Sequence, residues 1–149
     1  MNHDHHGLGR TCMAVVLIAL GLLSACSRTP PEQALRETIV TLQGSIEQRD
    51  ASALGDVLAD DFIGPDGLSR DGAQRMAKLM FLRYQDVGVN VGPLEVDLKE
   101  THATVRFTAA LSGGAGVLPD SGQLYDVETG WRLVGDEWRL VSARWQPRF

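Results

Sequence analysis

The chain has 149 residues, 44% of them hydrophobic and 22% charged, with a formal net charge of −5 at pH 7. That balance is globular rather than disordered, and the length is that of one domain. An acidic chain with no Lys/Arg cluster and no interleaving of aromatic with basic residues excludes a nucleic-acid surface.

The first segment stands apart from the rest. Met1–Arg10 is polar and ends in Arg10, Met13–Leu23 is uninterrupted apolar or small, and Leu23-Ser24-Ala25-Cys26 follows. A basic lead, an apolar run and a small-residue site make a secretory signal, and the run is short of the ~20 residues a membrane-spanning helix needs. The chain then divides into a signal over 1–25, a tether over 26–31 and one domain over 32–149. Leu23-Ser24-Ala25-Cys26 also resembles the lipobox of bacterial lipoproteins. The resemblance implies cleavage before Cys26, acylation of that cysteine by palmitate and other chains and, with Ser27 following, retention in the outer membrane on its periplasmic face. The alternative is an ordinary signal cleaved near Ala25, with Cys26 incidental. Of the two cysteines, Cys12 leaves with the signal. The remaining odd thiol asks for a partner or a modification, and one mature chain can form no internal disulfide. His3, His5 and His6 lie in the discarded lead, and His102 alone cannot build an ordinary metal site. No metal and no cofactor is expected.

Glu32–Gln48 predicts an amphipathic helix with Leu35, Ile39, Leu42 and Ile46 at helical spacing. Asp50 is placed to cap a shorter helix over Ala51–Ala59. Gly64-Pro65-Asp66-Gly67 is a turn, and Ser69 or Asp71 can cap a third helix running to about Tyr84. Its Ala73, Met76, Ala77 and Met80 share one side, and two methionines one turn apart read as core. From Val87 the period becomes two. Val87–Val91 and Leu94–Leu98 form one long strand bent at Gly92-Pro93. Glu100-Thr101-His102 turns the chain into a strand whose buried face is Ala103, Val105, Phe107, Ala109 and Leu111, which leaves His102 exposed. Ser112–Gly122 is a loop with an apolar tip. The last two strands, Gln123–Val134 and Trp138–Trp145, pair through Gly135-Asp136-Glu137. This hairpin holds all three tryptophans, and Tyr125, Val127, Thr129, Trp131 and Leu133 share one face by alternation.

Three helices followed by about four antiparallel strands form an α+β domain. The stretches Glu47-Gln48-Arg49-Asp50-Ala51-Ser52-Ala53-Leu54, Leu58-Ala59-Asp60-Asp61-Phe62 and Trp131 to Leu140 resemble the NTF2-like (SnoaL-like) superfamily over roughly Glu32 to Trp145. The resemblance implies a cone, with helices packed in a curved sheet. Isomerases, dehydratases, cyclases and non-catalytic domains share that fold, so it does not by itself name a chemistry. Ketosteroid isomerases of the superfamily use a carboxylate base with an oxyanion hole of a tyrosine and a protonated aspartate. Here the corresponding positions fall on Asp66, Leu42 and Thr129. The oxyanion donors are missing, which disfavours that chemistry, and Asp66 is equally a good turn residue.

The residues point first to a lipid-anchored envelope domain binding a small hydrophobic molecule or a protein partner. Tyr125, Thr129, Trp131 and Phe107 would form its pocket wall. The alternative is an enzyme of the isomerase, dehydratase or cyclase type using Asp61 or Asp66 on a small hydrophobic substrate. A homodimer through the outer sheet face is a further expectation. Arg139, Val141, Ala143 and Trp145 would lie there if Trp138 and Leu140 face inward.

Overall fold

The computed structural model describes residues 28–114 and 121–149. The signal, Cys26 and the centre of the 112–122 loop lie outside the described residues. Helix α1 spans Pro31–Glu47 and buries Leu35 and Ile39. Its chain reverses through Arg49, at φ 57°, into Asp50. The Asp50 carboxylate accepts from the amides of Ser52 (3.0 Å) and Ala53 (2.9 Å), capping α2, Ala51–Val57. Helix α3, Arg70–Arg83, starts at Ser69, whose hydroxyl accepts from Gly72 N–H at 3.2 Å. The two helices meet at Gly55. A Cβ there would stand 1.8 Å from Gln74 Nε2, the group that donates to Ala51 O at 3.2 Å.

Among the described residues the sheet has six strands rather than about four: β1 Leu58–Ile63, β2 Asp86–Val91, β3 Glu95–Leu98, β4 His102–Gly114, β5 Ser121–Val134 and β6 Glu137–Pro147. Two differences produce the count. The second helix stops at Val57, and the next residues pair in parallel with β6, Leu58 with Leu140 and Ile63 with Ser142. Pairing along an open strand edge overrides the helical reading of Leu58 and Ala59. The bent strand also breaks fully at 92–94. Its halves remain on one neighbour, β2 against Ala109–Gly114 and β3 against Ala103–Arg106. The order is β1-β6-β5-β4-β2, with β3 beside β2 along β4.

β2 ends the sheet, and helix α1 covers its open side. Gln43 Nε2 donates to Val89 O at 2.7 Å, and Glu47 accepts from Val89 N–H at 3.4 Å. Side-chain groups thus take up backbone positions that would otherwise recruit another strand. The core lies between α1 and the inner sheet face, where Leu35 and Ile39 pack with Val57, Phe62, Val105, Trp131, Trp138 and Leu140.

Two expectations about facing are corrected. Gly130 pairs with Ser142 and Trp131 with Leu140, so Val141 is an extra residue, a β-bulge. Such a residue reverses the alternation beyond it. Ala143 therefore turns inward, buried with the core, opposite Thr129, and Trp145 lies opposite Val127. Arg139, Ser142, Arg144 and Gln146 take the outer parity instead. On α3, Ala73 is buried, but Met76 and Met80 are 40% and 46% exposed, so they are not core. That helix packs on α2 and β1 through the Ala73–Ala77–Phe81 side, and the methionine side is exposed among the described residues.

Candidate functional site

The residues expected to wall a pocket separate by depth. Thr129 and Trp131 are buried. The Trp131 indole donates to Thr129 Oγ1 at 2.8 Å, and Thr129 donates to Val105 O at 3.1 Å. Both polar groups are thereby satisfied within the core. Phe107 and Tyr125 stand further along the same face and are half-buried, with Tyr125 Oη donating to Gln123 Oε1 at 2.9 Å.

The two carboxylates considered as bases are both exposed. Asp61 sits on β1 and is held by Arg132 of β5 through two bonds, 2.7 Å and 3.1 Å. Those bonds, with the guanidinium charge, hold its carboxyl below the usual carboxylate range and raise Arg132 further. A carboxylate stabilised in its ionised form is a weaker base. Asp66 lies in the 3-10 turn Pro65–Gly67 with φ 56° and ψ 28°, a left-handed turn position that Asp tolerates. Leu42, at the place of the oxyanion tyrosine, is a half-buried α1 residue against the core. His102 is exposed, its Nδ1 3.0 Å from Thr101 Oγ1. Among the described residues no group of three or more His, Cys, Asp or Glu could hold a metal.

The more developed polar arrangement is on the outer sheet face, where the sequence was read only for a dimer surface. A groove of about 770 Å³ runs over β4, β5 and β6, bounded by Pro93 and Glu95. Pairing sets Arg106 beside Glu128, Glu128 beside Arg144, and Thr108 beside Asp126. Glu128 accepts from Arg106 Nε at 2.8 Å and from Arg144 Nη2 at 2.5 Å. These bonds, that from Arg144 first, hold its carboxyl below the usual glutamate range. Arg148 reaches Thr108 Oγ1 at 3.2 Å and lies 3.6 Å from Asp126. It also borders an adjoining hollow of about 560 Å³ with Asn90, Leu124 and Phe149. The tail is held there because Arg148 N–H donates to Leu124 O at 2.8 Å. In the sequence these charges show only as alternate polar positions on three strands. Their convergence depends on register across the sheet.

No family model matches the sequence, and no curated protein is similar to it in sequence. Solved structures do match. An NTF2-like family protein from Streptomyces avermitilis, provisionally assigned as a dehydratase, superposes with a TM-score of 0.71 at 18% identity, covering 80% of this chain and 97% of that one. The chain has the NTF2-like fold. An NTF2-like protein of unknown function from Pseudomonas putida gives a TM-score of 0.68 at 15% identity, with 79% and 87% covered. Bd1075 of Bdellovibrio bacteriovorus gives 0.71 at 13% identity, and there the match covers 78% of this chain but 41% of the other. The chain thus spans about two fifths of that protein. At such identities the likeness establishes the fold alone. Activities on this fold differ between proteins that share it.

Proposed function

We propose that the chain is an exported envelope protein, cleaved before Cys26 and anchored through that acylated cysteine to the periplasmic face of the outer membrane. In this reading its NTF2-like domain binds a polypeptide partner across the outer sheet face and does no chemistry. The observation that carries the binding part is the Arg106–Glu128–Arg144 array with the adjoining Arg148–Asp126 pair, laid along an open groove. Alternating, internally paired charges suit the mixed polar surface of a protein. A small hydrophobic molecule would desolvate them without compensation. The burial and mutual bonding of Thr129 and Trp131 and the ion-paired Asp61 support the same choice. A second copy of the chain is the simplest such partner.

The test is sedimentation of the protein together with photo-crosslinking from position 146 in the envelope. Association is expected, and Glu128→Arg, which sets a third cation between Arg106 and Arg144, should abolish it while leaving the circular dichroism unchanged. A monomer with no protein crosslinked from position 146 overturns the partner. Turnover of a small hydrophobic substrate that Asp61→Asn or Asp66→Asn abolishes would establish the enzymatic alternative instead. Intact-mass analysis of membrane-extracted protein checks the anchor, and an unlipidated chain beginning at Cys26 rejects it.

A further inference from the structure

We infer that helix α3 is a second membrane contact, lying along an anionic lipid surface with its uncovered side. Its outward face is apolar at Met76, Leu79, Met80 and Leu82, of which Leu79 and Leu82 are 68% and 83% exposed. Met76, Leu79 and Met80 follow i, i+3, i+4 spacing, and Leu82 continues the band through Leu79. The same 14 residues carry Arg70, Arg75, Lys78 and Arg83 against a single acid, Asp71. A chain of net charge −5 thus places four cations and one acid on a helix that exposes four large apolar side chains. Arg70 is engaged, donating to Asp60 and to the Gly55 carbonyl. Around the helix Arg75 stands between Leu82 and Leu79, Arg83 between Leu79 and Met76, and Lys78 borders Leu82; Arg75 and Lys78 are exposed and form no ion pair among the described residues.

A helix face on which exposed Leu and Met alternate with long cationic side chains suits a membrane interface. The apolar groups enter the headgroup boundary and the cations reach anionic phosphates. Charge separates this occupant from the other obvious one. Two copies meeting through α3 would oppose two cationic helices, whereas an anionic bilayer complements each. The inference goes beyond the anchor proposed above. It needs no acyl chain, and its test replaces Cys26.

The experiment uses the mature chain, residues 26–149, with Cys26→Ser, mixed with vesicles, with an environment-sensitive fluorophore on Leu82→Cys. A second preparation carries the label on Gln146→Cys, at the outer sheet face. In phosphatidylcholine vesicles containing phosphatidylglycerol, the label at position 82 should shift to the blue and be quenched by nitroxide lipids. The label at position 146 should do neither. Arg75→Ser with Lys78→Ser should lower the docked-to-free ratio about thirtyfold, since each basic residue near an anionic surface contributes on the order of 1 kcal/mol. Met76→Ser with Leu79→Ser should lower it too, with an unchanged melting temperature because both sites are exposed. No shift at position 82, or an equal shift in pure phosphatidylcholine, overturns the inference. A shift that needs no vesicles and grows with protein concentration also overturns it, and assigns the face to a second copy.

Discussion

Trp131 donates its indole N–H to Thr129 Oγ1 at 2.8 Å, and Thr129 donates its own hydroxyl to the Val105 carbonyl at 3.1 Å, which joins two strands at the centre of the core. Thr129→Val keeps the volume and removes both bonds, leaving a buried indole N–H without an acceptor. An unsatisfied buried donor costs about 1–3 kcal/mol. Urea unfolding should show a loss in that range, with the m-value unchanged.

The bulge at Val141 sets which side chains of the last strand are inside. Deleting Val141 restores strict alternation and would turn Ala143 and Trp145 outward against the register with Thr129 and Val127. The expected result is a chain that does not reach the native near-ultraviolet spectrum. Val141→Ala, which keeps the extra residue, should fold and melt within a few degrees of the parent.

Asp50 fixes the start of α2 by accepting two backbone N–H groups. Asp50→Ala should cost about 1 kcal/mol, within the usual 0.5–2 for a lost N-cap. Asp50→Asn should recover most of it. Both values follow from chemical denaturation.

Asp61 and Glu128 titrate in the same sense. Each has a folded pKa below its unfolded value, Asp61 through Arg132 and Glu128 through Arg144 and then Arg106. The stability they contribute is therefore fully present above the unfolded values, about 3.9 and 4.3. It is lost as pH falls through the lower folded values. The melting temperature should be insensitive to these pairs from neutral pH to about 5 and should decline below about 4. Carboxyl-carbon NMR should place Asp61 below its ordinary midpoint and show Arg132→Gln moving it back up. An Asp61 midpoint unaffected by Arg132→Gln would remove the pair as the cause.

Local chemistry carried much of the fold in the sequence itself. Asp50 and Ser69 cap helices because a short acceptor side chain before an apolar-periodic run satisfies free amides. Pro65-Asp66-Gly67 turns, and Gly135 opens the final hairpin at φ 63°, because these residues relieve backbone sterics within a few positions. Period-two alternation likewise marked Thr129 and Trp131 as sharing one face of their strand and Val105 as buried on its own.

What remained was decided between segments distant in the chain. Leu58–Ile63 is a strand because β6 offers it an edge, and the Val141 bulge is visible only as a mismatch with β5. Asp61 meets Arg132 across 71 residues, and Glu128 gathers Arg106 and Arg144 from two neighbouring strands. Helical spacing on α3 could group Met76 with Met80, but whether anything covers that group depends on where the sheet ends. The sequence by itself determined the caps, the turns and the α+β fold class, all of which follow from interactions along the chain. The tertiary structure alone decided which face of the final hairpin is core, which carboxylates are ion-paired and which side of α3 is left bare, because register and packing are properties of pairs of segments.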